Sequence, residues 1–397
     1  MWQKIKNYYH FFQALFFVIY FKFPAKNIKV IGITGTDGKS TTAAMVYEIL
    51  KAAGKRVALV SSIGAKINGK SYETGYHVTT PSPYAVQKFL KLAKEAKCDY
   101  FVLEATSHSL DQNRLAFIKF TVAAVTNVAE EHLDYHKTWQ NYLSAKAKLF
   151  RKVQFSILNI EDKSFGYIKK TASGKILTYG LSRSADFNPY NFPAKLKIIG
   201  SFNLENALAS AAVATALGIN KKTILNAISK FEGITGRMQK VKNSAGIDVF
   251  IDFAHTPNAL FNALGTLKPM AQRRKSKLIV VFGSAGERDR AKRPKMGKIA
   301  ASFASKIILT AEDPRSESIQ GICDQIVSGI SSDKKVNKDY FIILDRKEAI
   351  NFALKIAKKG DVVAIFGKGH EKTMTFNKKD LPWDEFKATK EALSRLN

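Results

Sequence analysis

Short β-branched segments alternate with helical segments along most of this 397-residue chain. Helical patterns include TTAAMVYEILKAAG, SPYAVQKFLKLAKEA and the alanine-rich SFNLENALASAAVATALGI. Five segments between residues 28 and 160 have the composition of buried strands, namely IKVIGIT, RVALVSS, YFVLEAT, FTVAAVTNV and FSILNI. Because parallel strands need crossover connections, this alternation predicts an α/β fold built on a mostly parallel sheet flanked by helices.

A second series of the same kind begins after the segment EGITGRMQKV. Gly233 and Gly236 indicate a linker in that segment. The strand-like segments that follow are DVFIDFAH, KLIVVFGS, KIILTAE, YFIILD and DVVAIFGKGH. We therefore predict a central domain at residues 28–236 and a smaller, Rossmann-like α/β domain at residues 237–397.

Residues 1–27 differ from the rest because they combine a dense aromatic run with no acidic residue and four lysines, Lys4, Lys6, Lys22 and Lys26. The apolar stretch between Lys6 and Lys22 is shorter than the about 20 residues that a spanning helix needs. The segment also lacks the small-residue cleavage site of a signal peptide. Three interpretations stay open: a helix packed on the protein body, a basic aromatic helix in the interface of an anionic membrane, or a membrane anchor.

The charge of the chain favours anionic partners. Lysine and arginine number 63 against 33 acidic residues, which gives a net charge of +30. Such partners include nucleic acid, an acidic membrane face and phosphorylated substrates. No helix-turn-helix or aromatic-stacking signature accompanies the charge, so we predict no specific nucleic-acid binding. The two cysteines, Cys98 and Cys323, exclude a disulfide framework and a zinc finger and fit a reducing cytoplasm.

The segment GITGTDGKSTT at residues 32–42 carries the strongest chemical signal. It follows a predicted strand and opens a predicted helix, which is the context of a phosphate-binding loop. Glycines let backbone N–H groups approach phosphate oxygens, and the helix N-terminus favours negative charge. Lys39 would lie on the β- and γ-phosphates of a nucleotide, and Ser40 would offer its hydroxyl to Mg²⁺. The spacing departs from the general pattern, which would place a glycine at Ile33.

The compact form TGTDGKSTT resembles the Mur ligase superfamily, ATP-dependent enzymes that form amide bonds in peptidoglycan precursors. Further segments resemble that superfamily in its own order, from about residue 30 to 375. They are VTTPSP, LEATSHSLDQNRL, TNVAEEHLDYHKTW, SAKAKLF, SFNLENALA, GITGRMQ, FIDFAHTPNAL, FGSAGERDRAKRPKMG, AEDPRSES and FGKGHEKT. Jointly they point to the branch that adds the third peptide residue to a UDP-N-acetylmuramoyl-dipeptide. The resemblance implies ATP and Mg²⁺ as cofactors and an acyl-phosphate intermediate.

The resemblance also implies which residues hold the nucleotide and metal. The catalytic residues would be Lys39, Glu104, His132 and Lys146. Ser40, Glu104, His132 and Lys146 would bind metal, with Lys146 carbamylated by CO₂ into an anionic oxygen ligand. Lys148 should face away from the site, since residues two apart on a helix point in different directions. ATP would be bound by Gly35, Thr36, Asp37, Gly38, Lys39, Ser40, Thr41, Asn206, Arg237 and Asp252. Asn206 would reach the adenine side, and closure about Gly233–Gly236 would bring in Arg237 and Asp252.

Two further groups would bind the substrates by the same resemblance. The muramoyl-dipeptide would be bound by Thr79, Thr80, Thr106, Ser107, Gln112 and Arg114. The incoming amino acid would be bound by Arg288, Glu312, Asp313, Pro314, Arg315, Gly367 and Glu371. Members that add diaminopimelate carry Asp-Asn-Pro-Arg where this chain has Glu-Asp-Pro-Arg, and the arginine can pair the distal carboxylate that lysine lacks. This favours meso-diaminopimelate over lysine, although Asp313 adds negative charge and Phe253 replaces a tyrosine of the pattern.

Full-length members begin with a domain that binds the UDP moiety, whereas 27 residues precede the core here. We therefore expect UDP recognition to be reduced, supplied elsewhere or unnecessary, in a monomeric cytoplasmic enzyme that works near the inner membrane face. Another amide ligase of this architecture, such as a folylpolyglutamate-type enzyme, is an alternative, against which HLDYH, EDPR and GKGHE argue. A noncatalytic basic protein that binds membrane or nucleic acid is a third, against which the retained Lys39, Ser40, Glu104, His132 and Lys146 argue.

Overall fold

The computed structural model describes residues 2–73 and 79–396. The chain divides into two compact units, residues 1–232 and 233–397. Each unit is an α/β structure with its own sheet.

The first unit is built on a sheet whose described strands run in the order β4-β3-β2-β5-β1-β6-β7-β8. The strands from β2 to β8 in that order are parallel to one another, whereas β3 and β4 form an antiparallel edge. Their bounds are β1 Lys29–Thr34, β2 Val57–Ser61, β3 Gly64–Ile67, β4 Lys70–Tyr72, β5 Tyr100–Glu104, β6 Phe120–Val125, β7 Phe155–Asn159 and β8 Lys175–Tyr179.

Helices cover both faces of this sheet. They are α1 Trp2–Tyr20, α2 Lys39–Ala52, α3 Pro83–Glu95, α4 Ser107–Asp111, α5 Leu133–His136, α6 Trp139–Ala147, α7 Phe165–Thr171, α8 Ser201–Ala216 and α9 Lys221–Lys230, with short 3-10 helices at Pro24–Asn27 and Lys148–Phe150. Strands β2 and β5 are buried at every position, which explains why they read as continuous apolar runs rather than alternating ones.

The second unit contains a sheet in the order β13-β12-β11-β14-β10-β9, parallel except for β9, and a separate hairpin of β15 and β16. The strands are β9 Gln239–Val241, β10 Asp248–Asp252, β11 Leu278–Phe282, β12 Lys306–Leu309, β13 Tyr340–Ile342, β14 Val362–Phe366, β15 Thr373–Phe376 and β16 Lys379–Pro382. The helices are α10 Pro257–Arg273, α11 Lys292–Phe303, α12 Ile319–Val327, α13 Arg346–Ile356 and α14 Glu385–Ser394.

The strand register places three chain segments at one edge of the first sheet. Ile33 of β1 pairs with Glu104 of β5, and Thr34 pairs with Val125 of β6. The loops that follow these strands therefore leave from the same carboxyl edge, which is where open parallel sheets bind ligands. The predicted fold class, a mostly parallel α/β domain followed by a second α/β domain, is confirmed.

Candidate active site

The loop between β1 and α2 contains two glycines at which positive φ and close neighbours disfavour any larger residue. Gly38 precedes α2 with a φ of 81°, and a Cβ there would lie 2.3 Å from Asn206 Oδ1. Gly35 has a φ of 150°, and a Cβ there would lie 1.8 Å from the Thr126 hydroxyl. The glycines thus let the chain turn tightly into the helix N-terminus, as a phosphate-binding loop requires.

The end of β6 holds this loop in place. Asn127 donates from its side-chain amide to the Asp37 carbonyl (3.2 Å), and its own side-chain oxygen accepts from the Asp37 N–H (3.0 Å). The Thr126 hydroxyl donates to the same carbonyl at 2.6 Å. The loop is therefore fixed before any ligand arrives, which reduces the entropy lost on binding.

Ser40 and Glu104 form the pair that best suits a magnesium ion. The Ser40 hydroxyl lies 2.8 Å from Glu104 Oε1, and the Ser62 N–H donates to the other carboxylate oxygen at 2.6 Å. Glu104 is fully buried at the end of β5. No group of three or more His, Cys, Asp or Glu side chains in the described part of the chain could hold a metal ion alone. The pair fits Mg²⁺ nonetheless, because this ion is commonly held by one or two carboxylates together with substrate phosphates.

Lys146 points into the phosphate loop from α6. Its Nζ donates to the Gly35 carbonyl at 2.5 Å, and the side chain is 1% exposed. Burial lowers the pKa of Lys146 well below its usual 10.5, and the positive charge of Lys39 lowers this pKa further. Lys148 instead donates to Asp111 at 2.8 Å. Lys146 therefore contacts the phosphate loop, whereas Lys148 contacts an acidic residue outside it.

Lys39 lies on the same loop, and its Nζ donates to the Thr36 carbonyl at 2.7 Å. The Thr36 hydroxyl lies 3.0 Å from the Tyr142 hydroxyl, and Lys146 Nζ lies 4.4 Å from the centre of the Tyr142 ring. A chain of direct contacts thus connects Lys39 to Lys146 through Thr36 and Tyr142.

His132 lies on the same side but forms a looser contact with this group. Its imidazole is partly exposed, 3.6 Å from Glu131 Oε1, and its ring centre is 6.3 Å from that of Tyr142. Its backbone has a φ of 56°, which sets the turn into α5. A metal-binding role for His132 remains a prediction.

The residues predicted to bind the dipeptide lie close together beyond Glu104. The Thr80 hydroxyl accepts from the Thr106 N–H at 2.9 Å and donates to the Glu104 carbonyl at 2.8 Å. Arg114 Nε donates to Gln112 Oε1 at 2.7 Å. Thr79 is partly exposed just before Thr80. These residues form a polar cluster next to Glu104, in which Thr80 and Gln112 are buried.

Ser107 is the buried sixth member of this cluster, and its hydroxyl contacts α5 at a distance of 3.0 Å from His136 Nε2. Burial lowers the pKa of His136 to about 4, with the charges of His132 and Lys146 adding to the effect. His136 is therefore neutral at pH 7 and can accept or donate one hydrogen bond with Ser107.

We expect the first unit to lose about 2 kcal/mol of stability through His136 between pH 7 and pH 5. The unfolded histidine, with a pKa near 6.5, binds a proton in this range, whereas the folded one does not until about pH 4. Hydrogen exchange of peptides from the first unit measures the change in unfolding free energy. EDTA is present so that metal binding does not contribute. His136→Gln should show a correspondingly shallower pH dependence; an unchanged dependence would contradict the assignment.

In the second unit, Asp313 is held by a buried lysine. Lys368 Nζ lies 2.8 Å from Asp313 Oδ1 and also pairs with Glu371, and Lys368 is fully buried. The Thr375 N–H donates to Asp313 Oδ1 at 2.9 Å. The negative charge of Asp313 therefore has a cation beside it, which it shares with Glu371.

Arg315 and Glu312 flank this pair. Arg315 has a φ of 53° and donates from Nη1 to the Gly286 carbonyl at 3.1 Å, so Pro314 and its neighbours lie against the loop after β11. Glu312 is buried, and its Oε2 has no hydrogen-bond partner among the described residues. Gly367 has a φ of 110°, and a Cβ there would lie 2.2 Å from that oxygen, so a larger residue would strain the backbone and displace the carboxylate. Burial raises the pKa of Glu312.

The remaining predicted residues of the second unit are more dispersed. Both carboxylate oxygens of Asp252 accept backbone N–H groups, from Met238 at 2.6 Å and Ala254 at 2.7 Å. The Arg237 guanidinium lies 4.6 Å from the centre of the Phe253 ring, a cation–π contact that needs the ring but not the hydroxyl of the tyrosine in the pattern. Arg288 is exposed in the loop after β11.

Some side chains in this arrangement were not singled out from the sequence. Tyr142 lies four residues before Lys146 on the same helix, a spacing that places both on one face and could have identified it. Lys368 lies within the FGKGHEKT segment, but only the fold shows that it faces Asp313. Asn206, by contrast, was predicted from the sequence to reach the adenine side of ATP, and it lies directly behind Gly38, where its side chain accepts from the Thr42 hydroxyl at 3.2 Å.

Comparison with known proteins gives consistent results for both units. The Mur ligase middle domain family matches residues 33–214, and the family described as Mur ligase, glutamate ligase domain matches residues 236–369. A UDP-N-acetylmuramoyl-L-alanyl-D-glutamate–2,6-diaminopimelate ligase from Syntrophomonas wolfei subsp. wolfei is 36% identical over 403 residues, which cover 96% of this chain and 81% of that protein.

Solved structures agree with this comparison. The structure of a ligase of the same name has a TM-score of 0.64 at 28% identity, covering 99% of this chain and 83% of that one. A bifunctional folylpolyglutamate synthase/dihydrofolate synthase has a TM-score of 0.71 at 19% identity, covering 91% of this chain and 92% of that one. At this identity the second likeness concerns the fold alone.

Proposed function

This chain belongs to the Mur ligase family of ATP-dependent amide ligases, and we propose that it adds an amino acid to UDP-N-acetylmuramoyl-L-alanyl-D-glutamate. We propose meso-diaminopimelate as that amino acid, in preference to lysine. The observation that carries the proposal is the meeting of the glycine loop, the Ser40–Glu104 pair and the buried Lys146 at one sheet edge.

The first chemical step activates the acceptor. A carboxylate oxygen of its glutamate attacks the γ-phosphorus of ATP, so a new O–P bond forms while the bond to ADP breaks. The loop N–H groups and the Lys39 ammonium would neutralise the phosphate oxygens during this transfer. The side chains of Ser40 and Glu104 would hold Mg²⁺, which supplies further charge neutralisation at those oxygens.

Lys146 is proposed to act as its carbamate. A neutral amine attacks the carbon of CO₂, the new N–C bond forms, one C=O electron pair moves to oxygen, and the nitrogen loses a proton to solvent. The lowered pKa of Lys146 supports this, because it increases the fraction of the neutral amine relative to an exposed lysine. The anionic carbamate would then be a suitable oxygen ligand for a hard cation, with His132 as a proposed further ligand.

The second step forms the amide bond. The incoming amine attacks the carbonyl carbon of the acyl phosphate, inorganic phosphate leaves with the electrons of the broken C–O bond, and the nitrogen releases a proton. Arg237 and Asp252 are proposed to approach the nucleotide on closure about residues 233–236. Excluding water during closure would protect the acyl phosphate from hydrolysis.

Selection of the incoming amino acid is proposed to depend on Arg315. Its guanidinium can form two parallel hydrogen bonds with a distal carboxylate, which diaminopimelate has and lysine lacks. Lys368 is shared between Asp313 and Glu371, so it offsets only part of the negative charge at this position. The support for diaminopimelate is therefore Arg315.

We expect Arg315→Met to lower kcat/KM for meso-diaminopimelate by about a hundredfold and to change the value for lysine by less than about threefold. Steady-state phosphate release with each amine measures both constants. Arg290→Met, at an exposed arginine of the preceding loop, serves as the control. An equal loss of kcat/KM with both amines would contradict the proposed selection by Arg315. It would mean that Arg315 maintains the structure of the pocket and does not bind the distal carboxylate.

The proposed reaction is tested by supplying ATP, Mg²⁺ and UDP-N-acetylmuramoyl-L-alanyl-D-glutamate with diaminopimelate, lysine or glutamate in parallel. We expect phosphate release and a product of increased mass with diaminopimelate. Release that requires a folate and glutamate, with none from the muramoyl acceptor, would favour the folylpolyglutamate alternative. No amine-dependent release with either acceptor would favour the noncatalytic one.

A further inference from the structure

Helix α1 presents a row of large apolar side chains to solvent. Eight of them are more than half exposed: Ile5, Tyr8, Tyr9, Phe12, Phe16, Ile19, Tyr20 and, just beyond the helix, Phe23. The seven within α1 fall inside a sector of about 120° on a helix of 3.6 residues per turn. We call these eight residues the outer face. A contiguous apolar surface of this kind is rare on a protein with no partner for it.

The opposite side of α1 is fixed to the first unit, so the outer face cannot bury itself by rotation. Ala14 and Val18 are buried. The Phe17 ring lies 5.1 Å from that of Tyr84 on α3, and the Phe11 ring lies 5.1 Å from that of Phe117. The helix is therefore held with its apolar outer face toward solvent.

We infer that the outer face docks on an anionic lipid bilayer. The charge around it selects this occupant: residues 1–27 contain no acid, and the lysines of this segment whose side chains are described, Lys6, Lys22 and Lys26, are exposed. The neighbouring α3 adds exposed Lys88, Lys91 and Lys94. A second copy of this chain would bring the same positive charge to the contact, whereas anionic headgroups attract it.

The composition of α1 suits the interface of a bilayer rather than its interior. Aromatic side chains and flanking lysines are typical of helices that lie in the headgroup region with one face in the acyl boundary. Within the described residues, no helix has the length and apolar character needed to cross a membrane. The docking therefore rests on one face of one helix.

The inner side of α1 contacts the segment that carries the proposed dipeptide-binding residues. Gln3 donates to the Tyr135 hydroxyl at 2.6 Å, and Asn7 donates to Asp111 at 3.4 Å. Tyr135 in turn accepts from Gln112 at 3.3 Å. The docked helix would thus hold the proposed dipeptide-binding residues close to the lipid. The docking itself does not depend on the proposed reaction.

Co-sedimentation of the full-length protein with vesicles tests the docking. One set of vesicles contains phosphatidylcholine alone, and in the other a third of the lipid is phosphatidylglycerol. We expect the wild type to bind the anionic set, and Phe12→Ser/Phe16→Ser to reduce the partition by about tenfold or more. The matched control, Tyr190→Ser/Phe261→Ser, removes two aromatic side chains that are similarly exposed elsewhere and should bind as the wild type does.

Two outcomes would overturn the inference. The first is equal sedimentation of the α1 variant and the control variant. The second is a wild-type dimer in light scattering that becomes a monomer in the α1 variant, without vesicle binding, which would identify a second copy as the occupant. Phosphate release with the water-soluble acceptor should be unchanged in the α1 variant, so failure of the docking and failure of the proposed reaction are distinguishable.

Discussion

Lys146→Ala is expected to reduce amine-dependent phosphate release by about a thousandfold or more. Lys146 is the buried side chain that joins α6 to the phosphate loop through the Gly35 carbonyl. Alanine removes both that contact and the amine that would become the carbamate. Initial rates with saturating ATP, Mg²⁺, acceptor and diaminopimelate measure the loss.

Lys148→Ala is the matched control, since it removes a lysine two positions away that contacts Asp111 instead. Its rate should stay within about threefold of the wild type. ¹³C NMR with labelled bicarbonate gives a readout that a merely structural role would not move: a carbamate signal in the wild type and in Lys148→Ala that is missing from Lys146→Ala. Near-normal activity of Lys146→Ala, or the same carbamate signal in it, would remove Lys146 from the proposed metal site.

Arg346→Met is expected to destabilise the second unit by about 3–5 kcal/mol. Arg346 and Glu385 form an ion pair in which the side chains are 1% and 0% exposed. The guanidinium also donates to the Ala311 carbonyl at 2.9 Å and the Phe366 carbonyl at 2.7 Å. Methionine leaves these carbonyls and a buried carboxylate without their donor, which is why the cost exceeds that of an ordinary surface change. Hydrogen exchange of peptides from the second unit measures the free energy.

The exposed pair of Lys347 and Glu391 supplies the contrast, because its side chains are 43% and 37% exposed. Lys347→Met should change stability by less than about 1 kcal/mol. Combining Arg346→Met with Glu385→Leu should recover part of the loss by removing the uncompensated carboxylate. A cost below about 1 kcal/mol for Arg346→Met alone would contradict this account of the buried pair.

The central strands of both sheets could be predicted because they are buried on both faces. Runs such as those of β1, β5 and β14 are apolar at nearly every position, and this composition follows from burial alone. The phosphate loop could also be predicted from the sequence, since the local backbone geometry favours glycine at Gly35 and Gly38. Local constraints of this kind restrict the residue types at particular positions, so the sequence alone reveals them.

Two of the hairpins, β3–β4 and β15–β16, illustrate what the sequence analysis did not identify. The β3–β4 turn has positive φ at Asn68 and Gly69, a dipeptide that does signal a hairpin, but its strands are only four and three residues long. The β15–β16 turn has positive φ at Asn377 and Lys378, so no glycine marks it. Short strands bury few side chains, so the hydrophobic pattern of their sequence is weak.

Contacts between segments far apart in the chain could not be predicted from the sequence either. The pairing of Lys368 with Asp313 spans 55 residues, and the contact of Lys146 with Gly35 spans 111. The motifs containing these residues could be recognised, but their mutual contacts depend on how the strands are ordered in each sheet. For α1, the sequence indicated aromatic and basic character, whereas only the packing of Phe11 and Phe17 shows which side faces solvent.

In the proposed reaction, the γ-phosphoryl group of ATP is transferred to the acceptor carboxylate before the amide bond forms. An acceptor whose glutamate carboxylates carry ¹⁸O tests it directly, with the released phosphate analysed by mass spectrometry. We expect one ¹⁸O atom in each phosphate released with diaminopimelate, since the acyl C–O bond breaks and its oxygen leaves with the phosphate. Amide product accompanied by phosphate without ¹⁸O would contradict it.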